Sequence, residues 1–271
     1  MSRGILIYAH NNETLDYISL ACASAKLATI HLGYPVTLVT DAESINATTS
    51  DYSKYFENVI VIDKPHSQNK RVVNGNISSF LNGNRSSAWN TTPYDHTLVI
   101  DADYFTFTDT LNNYWDIDQS FMIAGSANFF IDSLKGFLDN KTSGNGLPLK
   151  WATTLMFKKD QESKMVFDLV DAIKSNYHYF YSLYNFDNRL YRNDIAFTIA
   201  CHILRGHLTG SDYELPAINT ANSQASIISI DPDSKLKLLI QANDTYIFTT
   251  SGIDLHFLNK DDLTKHLGKF L

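Results

Sequence analysis

Residues 4–41, GILIYAHNNETLDYISLACASAKLATIHLGYPVTLVTD, decide the fold. Gly4–Tyr8 is a short apolar run of strand type. Asn11 and Asn12 offer caps, and Ile18, Cys22, Ala25, Thr29 and Leu32 then recur at helical spacing. Gly33 supplies the C-terminal stop and Pro35 follows it. Val36–Thr40 is a second buried strand, ending at Asp41. Strand, helix and strand of these lengths imply parallel pairing through a right-handed crossover.

The alternation continues outward. A polar helical stretch leads to a strand at Val59–Ile62, closed by Asp63-Lys64-Pro65. After loop-rich residues 66–96 come further strands at Thr97–Ile100 and Phe121–Ala124. The expectation is an α/β fold, a Rossmann-like open mixed sheet flanked by helices, with ligands beyond the carboxyl ends of the strands. Ala9-His10-Asn11 stands where G-x-G-x-x-G would follow the first strand, which argues against a nicotinamide-type dinucleotide site. In the second half Trp151–Lys158 reads as a strand returning over the sheet. Ser163–Ser175 reads as a helix with Met165, Leu169, Val170 and Ile173 on one face. Asn193 offers the cap of a helix running to about Arg205, with Gly206 as its stop. Residues 225–271 hold strand-like Ile227–Ile230, Leu236–Ile240 and Tyr246–Thr249, then a polar helical segment. No repeat or linker divides the chain, so a single large domain over residues 1–271 is expected.

A hydrophobic share of 44% over 271 residues excludes disorder. No apolar run approaches the ~18–20 residues that span a bilayer, and the N-terminus has neither an apolar core of signal-peptide length nor a cleavage site. The expectation is a cytoplasmic protein with no membrane span. Cys22 and Cys201 sit in apolar helical patterns and form no C-x-x-C pair. Twenty-nine acidic against 22 basic residues give a net charge of −7, which argues against a protein that coats nucleic acid.

The chemistry concentrates in Leu98-Val99-Ile100-Asp101-Ala102-Asp103-Tyr104. An apolar strand delivers two carboxylates, two apart, to its C-terminal edge. Mg²⁺ and Mn²⁺ are commonly held by one or two carboxylates together with substrate phosphates. The bland alternative is a strand end followed by a turn, where Asp is common anyway. The preceding Rossmann-like half favours the metal.

With that D-x-D the chain resembles the nucleotide-sugar-dependent glycosyltransferases of the GT-A fold, and within them a bacteriophage-encoded group. The resemblance extends to Asn82-Gly83-Asn84-Arg85-Ser86-Ser87-Ala88-Trp89, Thr92-Pro93-Tyr94-Asp95 and Trp151-Ala152-Thr153-Thr154-Leu155-Met156-Phe157. It also takes in Tyr191-Arg192-Asn193-Asp194 and Asp254-Leu255-His256-Phe257-Leu258-Asn259-Lys260. It implies transfer of a sugar from a nucleotide-sugar donor, UDP-linked for preference, to a hydroxyl acceptor with Mn²⁺ or Mg²⁺. Hydroxylated bases of phage DNA are a candidate acceptor, and Lys70, Arg71, Arg85, Arg189 and Arg192 a candidate basic rim for them. Residues 1–124 would be the nucleotide-binding half, and 125–271 the acceptor-binding half with the C-terminal tail.

Carried over by residue, the resemblance places Tyr8, Ala9, His10 and Asn11 against the nucleotide and Asp41 at the base or ribose, with capping of the next segment as the equal alternative for Asp41. Arg85 would meet the diphosphate, with Lys70 and Arg71 as weaker candidates. Asp101, Ala102 and Asp103 would face the donor. Asp194 would be the catalytic carboxylate; its ordinary alternative is a first-turn acid favoured by the helix dipole. Trp151, Arg192 and Asn193 would meet the acceptor, although core packing is the commoner use of a Trp such as Trp151 or Trp89. Asp101, Asp103 and His256 would hold the metal, with His266 the competing late histidine. Two other classes stay open: a nucleotidyltransferase that makes the sugar nucleotide, against which the absence of a glycine-rich basic loop after the first strand counts, and a non-catalytic sugar- or nucleotide-binding module.

Overall fold

The computed structural model describes residues 1–64, 70–73, 76–79, 81–129, 147–186, 190–207, 214–221, 223, 225–230, 236–241 and 245–271. The chain begins β1 (Arg3–Tyr8), α1 (Tyr17–Leu32), β2 (Val36–Thr40), α2 (Ala42–Ala47), β3 (Asn58–Val61), β4 (Lys70–Val73), β5 (Asn76–Ser79) and α3 (Ala88–Thr91). It continues through β6 (His96–Asp101), β7 (Tyr104–Phe105), β8 (Phe121–Ala124), β9 (Ala127–Phe129), β10 (Trp151–Lys158), α4 (Gln161–Ser175), α5 (Tyr177–Leu183) and α6 (Asn193–Leu204). It closes with β11 (Ile218–Ala221), β12 (Ala225–Ile230), β13 (Leu236–Gln241), β14 (Thr245–Thr250), β15 (Leu255–Phe257) and α7 (Lys260–Lys265).

The central sheet has the order β3-β2-β1-β6-β10-β8. Its first four strands are parallel, and β10 runs antiparallel to both of its neighbours. The strand at Trp151–Lys158 therefore does not pass over the sheet as expected; it is inserted into it, with Thr154 opposite Ile100 and Leu155 opposite Ile123. Its six central residues are all buried, and a strand buried on both faces belongs inside a covered sheet.

Alternate residues feed two cores. Ile5, Ile7, Leu98, Ile100 and Met156 pack on the face covered by α1. Leu6, Val99, Leu155 and Phe157 pack on the opposite face, against Phe167 of α4 and Phe197 of α6. The result is a mixed α/β sheet flanked by helices, the architecture expected from residues 4–41. Each fully buried Leu, Ile or Phe contributes roughly 1.5–3 kcal/mol.

Helix ends differ in detail from the sequence reading. Asp16 is the N-cap of α1, accepting from the Ser19 N–H at 3.1 Å, and Asn11 assists from outside the helix, its Oδ1 accepting from the Ile18 N–H at 3.1 Å. Asn12 is spent on a tight turn, accepting from the N–H groups of Thr14 and Leu15 at 3.0 Å. Gly33 ends α1 at φ 77°, a left-handed conformation that favours glycine. On α4 the buried face is Val166, Phe167, Val170 and Ile173, and Met165 is 48% exposed, so the apolar stripe is rotated from the one expected. Among the described residues three smaller sheets, β7-β15-β11-β9, β12-β13-β14 and the hairpin β4-β5, complete the topology. The strands of the first are two to four residues long, too short to show a periodicity. Among the described residues no helix is long and apolar enough to cross a membrane.

Candidate functional site

β1 and β6 end level, with Tyr8 beside Asp101, so the loops that follow them open on one edge of the sheet. A cavity of about 430 Å³ lies at that edge. Tyr8, His10, Arg85, Asp101, Ala102 and Asp103 line it from the first half of the chain. Trp151, Arg192, Asn193, Asp194 and His256 line it from the second. Ala9, Asn11 and Asp41 are not in the wall. Ala9 is buried in the α1 core. Asn11 pins the loop to α2, its N–H donating to the Ser44 hydroxyl at 2.7 Å. Asp41 caps α2 through the Ser44 N–H at 2.9 Å and lies 2.8 Å from His10 Nδ1. An ionised carboxylate only accepts, so the proton of His10 sits on Nδ1 and leaves Nε2 as a bare acceptor without a protein partner. Burial pushes the His10 pKa down and Asp41 only partly opposes it, so the ring is neutral. Arg189, and the side chains of Lys70 and Arg71, lie outside the described residues.

The two D-x-D acids are handled differently. Asp101 Oδ1 accepts from the amide of Asn82 at 3.1 Å and is ion-paired to Arg85. Arg85 is 2% exposed, and burial lowers its pKa against the pull of Asp194, Asp103 and Tyr8. Asp103 is buried too, and lies 2.6 Å from Lys260 Nζ and 3.5 Å from His256 Nε2. Burial pushes its carboxyl up; Lys260 and His256 outweigh that and hold it well below the usual carboxylate range. Donor atoms of Asp101, Asp103 and His256 all lie within 4.8 Å of one another. Two carboxylate oxygens and an imidazole nitrogen are a set that Mn²⁺ accepts, and His256 Nδ1 has no protein partner. The residues fit the metal. His266 is the C-cap of α7 and takes no part in this cluster.

Facing the acids is the start of α6. The helix begins where expected, but Asn193 does not cap it. Its amide donates to the Asn82 carbonyl at 2.7 Å, and its Oδ1 accepts from the Tyr191 hydroxyl at 3.1 Å. Asp194 Oδ1 accepts from the Ala152 N–H of β10 at 2.9 Å. Its Oδ2 accepts from Arg192 Nη2 at 2.7 Å and Nε at 3.2 Å. Burial would raise the Asp194 pKa; Arg192 and the Ala152 N–H prevail and lower it. Trp89 lies away from the cavity wall, its indole donating to Ser163 at 3.1 Å and joining α3 to α4.

Asn82 and Lys260 stand in the sequence blocks quoted above, but the sequence reading gave neither a role at the site. Asn82 bridges Asp101 and Asn193, and Lys260 holds Asp103. Lysine as the first residue of a helix opposes the helix dipole, and that misfit was the signal the sequence held for Lys260.

No protein-family model and no curated protein sequence matches this chain. Among solved structures it is similar to the glycosyltransferase GlyE of Streptococcus pneumoniae TIGR4, at 13% identity and a TM-score of 0.45, over 79% of this chain and 45% of that one. A second is the galactosyltransferase LgtC in complex with donor and acceptor sugar analogues, at 14% identity and a TM-score of 0.41, over 73% of this chain and 70% of that one. A third is mouse xyloside xylosyltransferase 1, at 12% identity and a TM-score of 0.45, over 80% and 85%. The chain thus spans less than half the length of GlyE.

Proposed function

We propose that this chain is a metal-dependent glycosyltransferase that moves a sugar from a nucleotide-sugar donor, UDP-linked, to a hydroxyl acceptor. One observation carries the reading: Asp101, Asp103 and His256 converge at the carboxyl edge of the parallel strands, on a cavity whose other wall carries Asp194. Mn²⁺ or Mg²⁺ would be held by those three residues and, when bound, would offset the charge of a departing diphosphate. The chain's own cations act beside it. Lys260 and Arg85 rest on Asp103 and Asp101, from which they can turn to phosphate oxygens. Tyr8 and His10 border the nucleotide end, the half within residues 1–124; Trp151, Arg192 and Asn193 border the acceptor end.

Asp194 supplies a fixed negative charge. A carboxylate held below its ordinary pKa is a weak proton acceptor, so its low pKa favours offsetting positive charge on the sugar over deprotonating the acceptor. Hydroxylated bases of phage DNA in the host cytoplasm are the acceptor to test first. Arg85 is buried on Asp101 and Arg192 is tied to Asp194, so neither extends a basic rim for such DNA.

The test incubates the protein and Mn²⁺ with a panel of nucleotide sugars and follows nucleotide release with and without hydroxymethylated DNA. Release from one donor, stimulated by an acceptor, is expected. Equal UDP affinity in Mn²⁺ and in chelator, with no release from any donor, overturns the reading.

A further inference from the structure

The donors of the metal cluster come from distant parts of the chain. Asp101 ends β6, Asp103 lies in the turn before β7, and His256 is on β15. β7 and β15 meet over two residue pairs only, Leu255 with Phe105 and His256 with Tyr104. One more backbone bond joins them, from the Phe257 N–H to the Asp103 carbonyl at 3.0 Å. Each such bond is worth about 0.5–1.5 kcal/mol net, so a ladder this short is a weak guide for a ligand whose position matters to a fraction of an ångström.

A buried carboxylate reinforces it. Asp254 Oδ1 accepts from the N–H groups of Phe107 and Thr108 at 2.7 and 2.9 Å and from the Thr108 hydroxyl at 3.0 Å. Its Oδ2 accepts from the Tyr104 hydroxyl at 3.4 Å, and its backbone carbonyl accepts from Asn219 of β11 at 3.4 Å. One side chain, two residues before His256, thus grips the segment that follows the D-x-D. Asp254 itself does not line the cavity.

We infer that Asp254 is a positioning residue that sets the distance from His256 to the Asp101–Asp103 pair and acts on metal affinity through His256; this rests on the metal reading of the site. Asp254→Ala removes the side-chain ties to Tyr104, Phe107 and Thr108 and leaves the short ladder alone. Asp254→Asn keeps an oxygen for the two N–H groups and loses the charge and the acceptor for the Tyr104 hydroxyl.

The experiment titrates Mn²⁺ alone by calorimetry into the parent, Asp254→Ala, Asp254→Asn, His256→Ala and both double variants, with a urea melt of each. Asp254→Ala is expected to weaken Mn²⁺ binding about tenfold and Asp254→Asn about threefold, within the range of lost outer-shell support. In the His256→Ala background neither should weaken it further, because the group being positioned is gone. A merely structural Asp254 lowers the urea midpoint and leaves Mn²⁺ affinity unchanged, or costs the same in both backgrounds; either result overturns the inference. Should Asp254→Ala fail to fold, the Asp254→Asn cycle decides in the same way. A parent that binds no Mn²⁺ overturns the metal reading and this inference together, whereas a parent that binds it with an additive cycle overturns the positioning role alone.

Discussion

Both ends of β6 bury titratable side chains, and the carboxyl end opens on the cavity. At its start His96 packs edge-on against Trp115, ring centroids 4.8 Å apart, and its Nε2 has no protein partner. Burial lowers the His96 pKa to about 4; Lys158 and Arg3 add to the shift, and Asp116 and Asp160 oppose it. At the far end Asp103 stays ionised because Lys260 and His256 face it, and Asp101 is paired to Arg85. One end meets burial by discharging the group, the other by importing counter-charge from elsewhere in the chain. Burial of an ionisable group alone does not mark a site. Counter-charges that border a cavity do.

The largest expected effect breaks this contrast directly. On the proposed reading Asp103→Asn should lower sugar transfer about 10³-fold, because it would remove one charged ligand from the place where negative charge departs. The fold should survive, since Lys260 is part-exposed and can turn to water. Rate of nucleotide release and urea melts check both halves; an unfolded variant would make this end of β6 as structural as the other. The start of the strand gives the next effect. An unfolded His titrates near 6.5 and His96 near 4, so the unfolded chain binds more protons between those values. The stability His96 contributes as a neutral group is complete above pH 6.5 and is lost as pH falls towards 4, by about 3 kcal/mol. Urea midpoints at pH 7 and 4.5 measure that slope, and His96→Leu should flatten it. An unchanged slope would show that His96 titrates alike in the folded and the unfolded chain.

Asp194 sharpens the contrast, because its counter-charge is local: Arg192 is two residues away. Asp194→Asn should lower the maximal rate about 10²-fold and leave donor affinity nearly unchanged. Loss of donor binding at an unchanged maximal rate would make Asp194 a binding residue. The same local-against-distant distinction governs what was legible in the sequence. The parallel strands showed as apolar runs, and Asp101, Asp103 and Asp194 stood where a strand ended and a helix began. Asn82 and Lys260 escaped notice because each acts on a residue that only the folded chain brings near. Trp151–Lys158 showed as a strand, but not its insertion beside β6, since a run buried on both faces carries no alternation to say which edge it joins. β15 is three residues long and has no pattern to read.

The smallest effect concerns the distant partner itself. His256 sits 3.5 Å from Asp103 on a strand whose neighbours Leu255 and Phe257 are core residues. It has therefore two ordinary reasons to be buried, packing and the acid, and neither requires a metal. Its unpartnered Nδ1 and the closeness of Asp101 make the difference. Removing one nitrogen donor leaves both carboxylates in place, so His256→Ala should weaken Mn²⁺-dependent UDP binding only about tenfold, at the low end for disturbed metal sites. His266→Ala should leave it unchanged, because His266 caps α7 outside the cluster. Calorimetric UDP titrations with saturating Mn²⁺ compare the two. If His256→Ala binds like the parent, then the end of β6 that opens on the cavity is closed by its acids alone, and His256 joins His96 as a histidine the fold has merely buried.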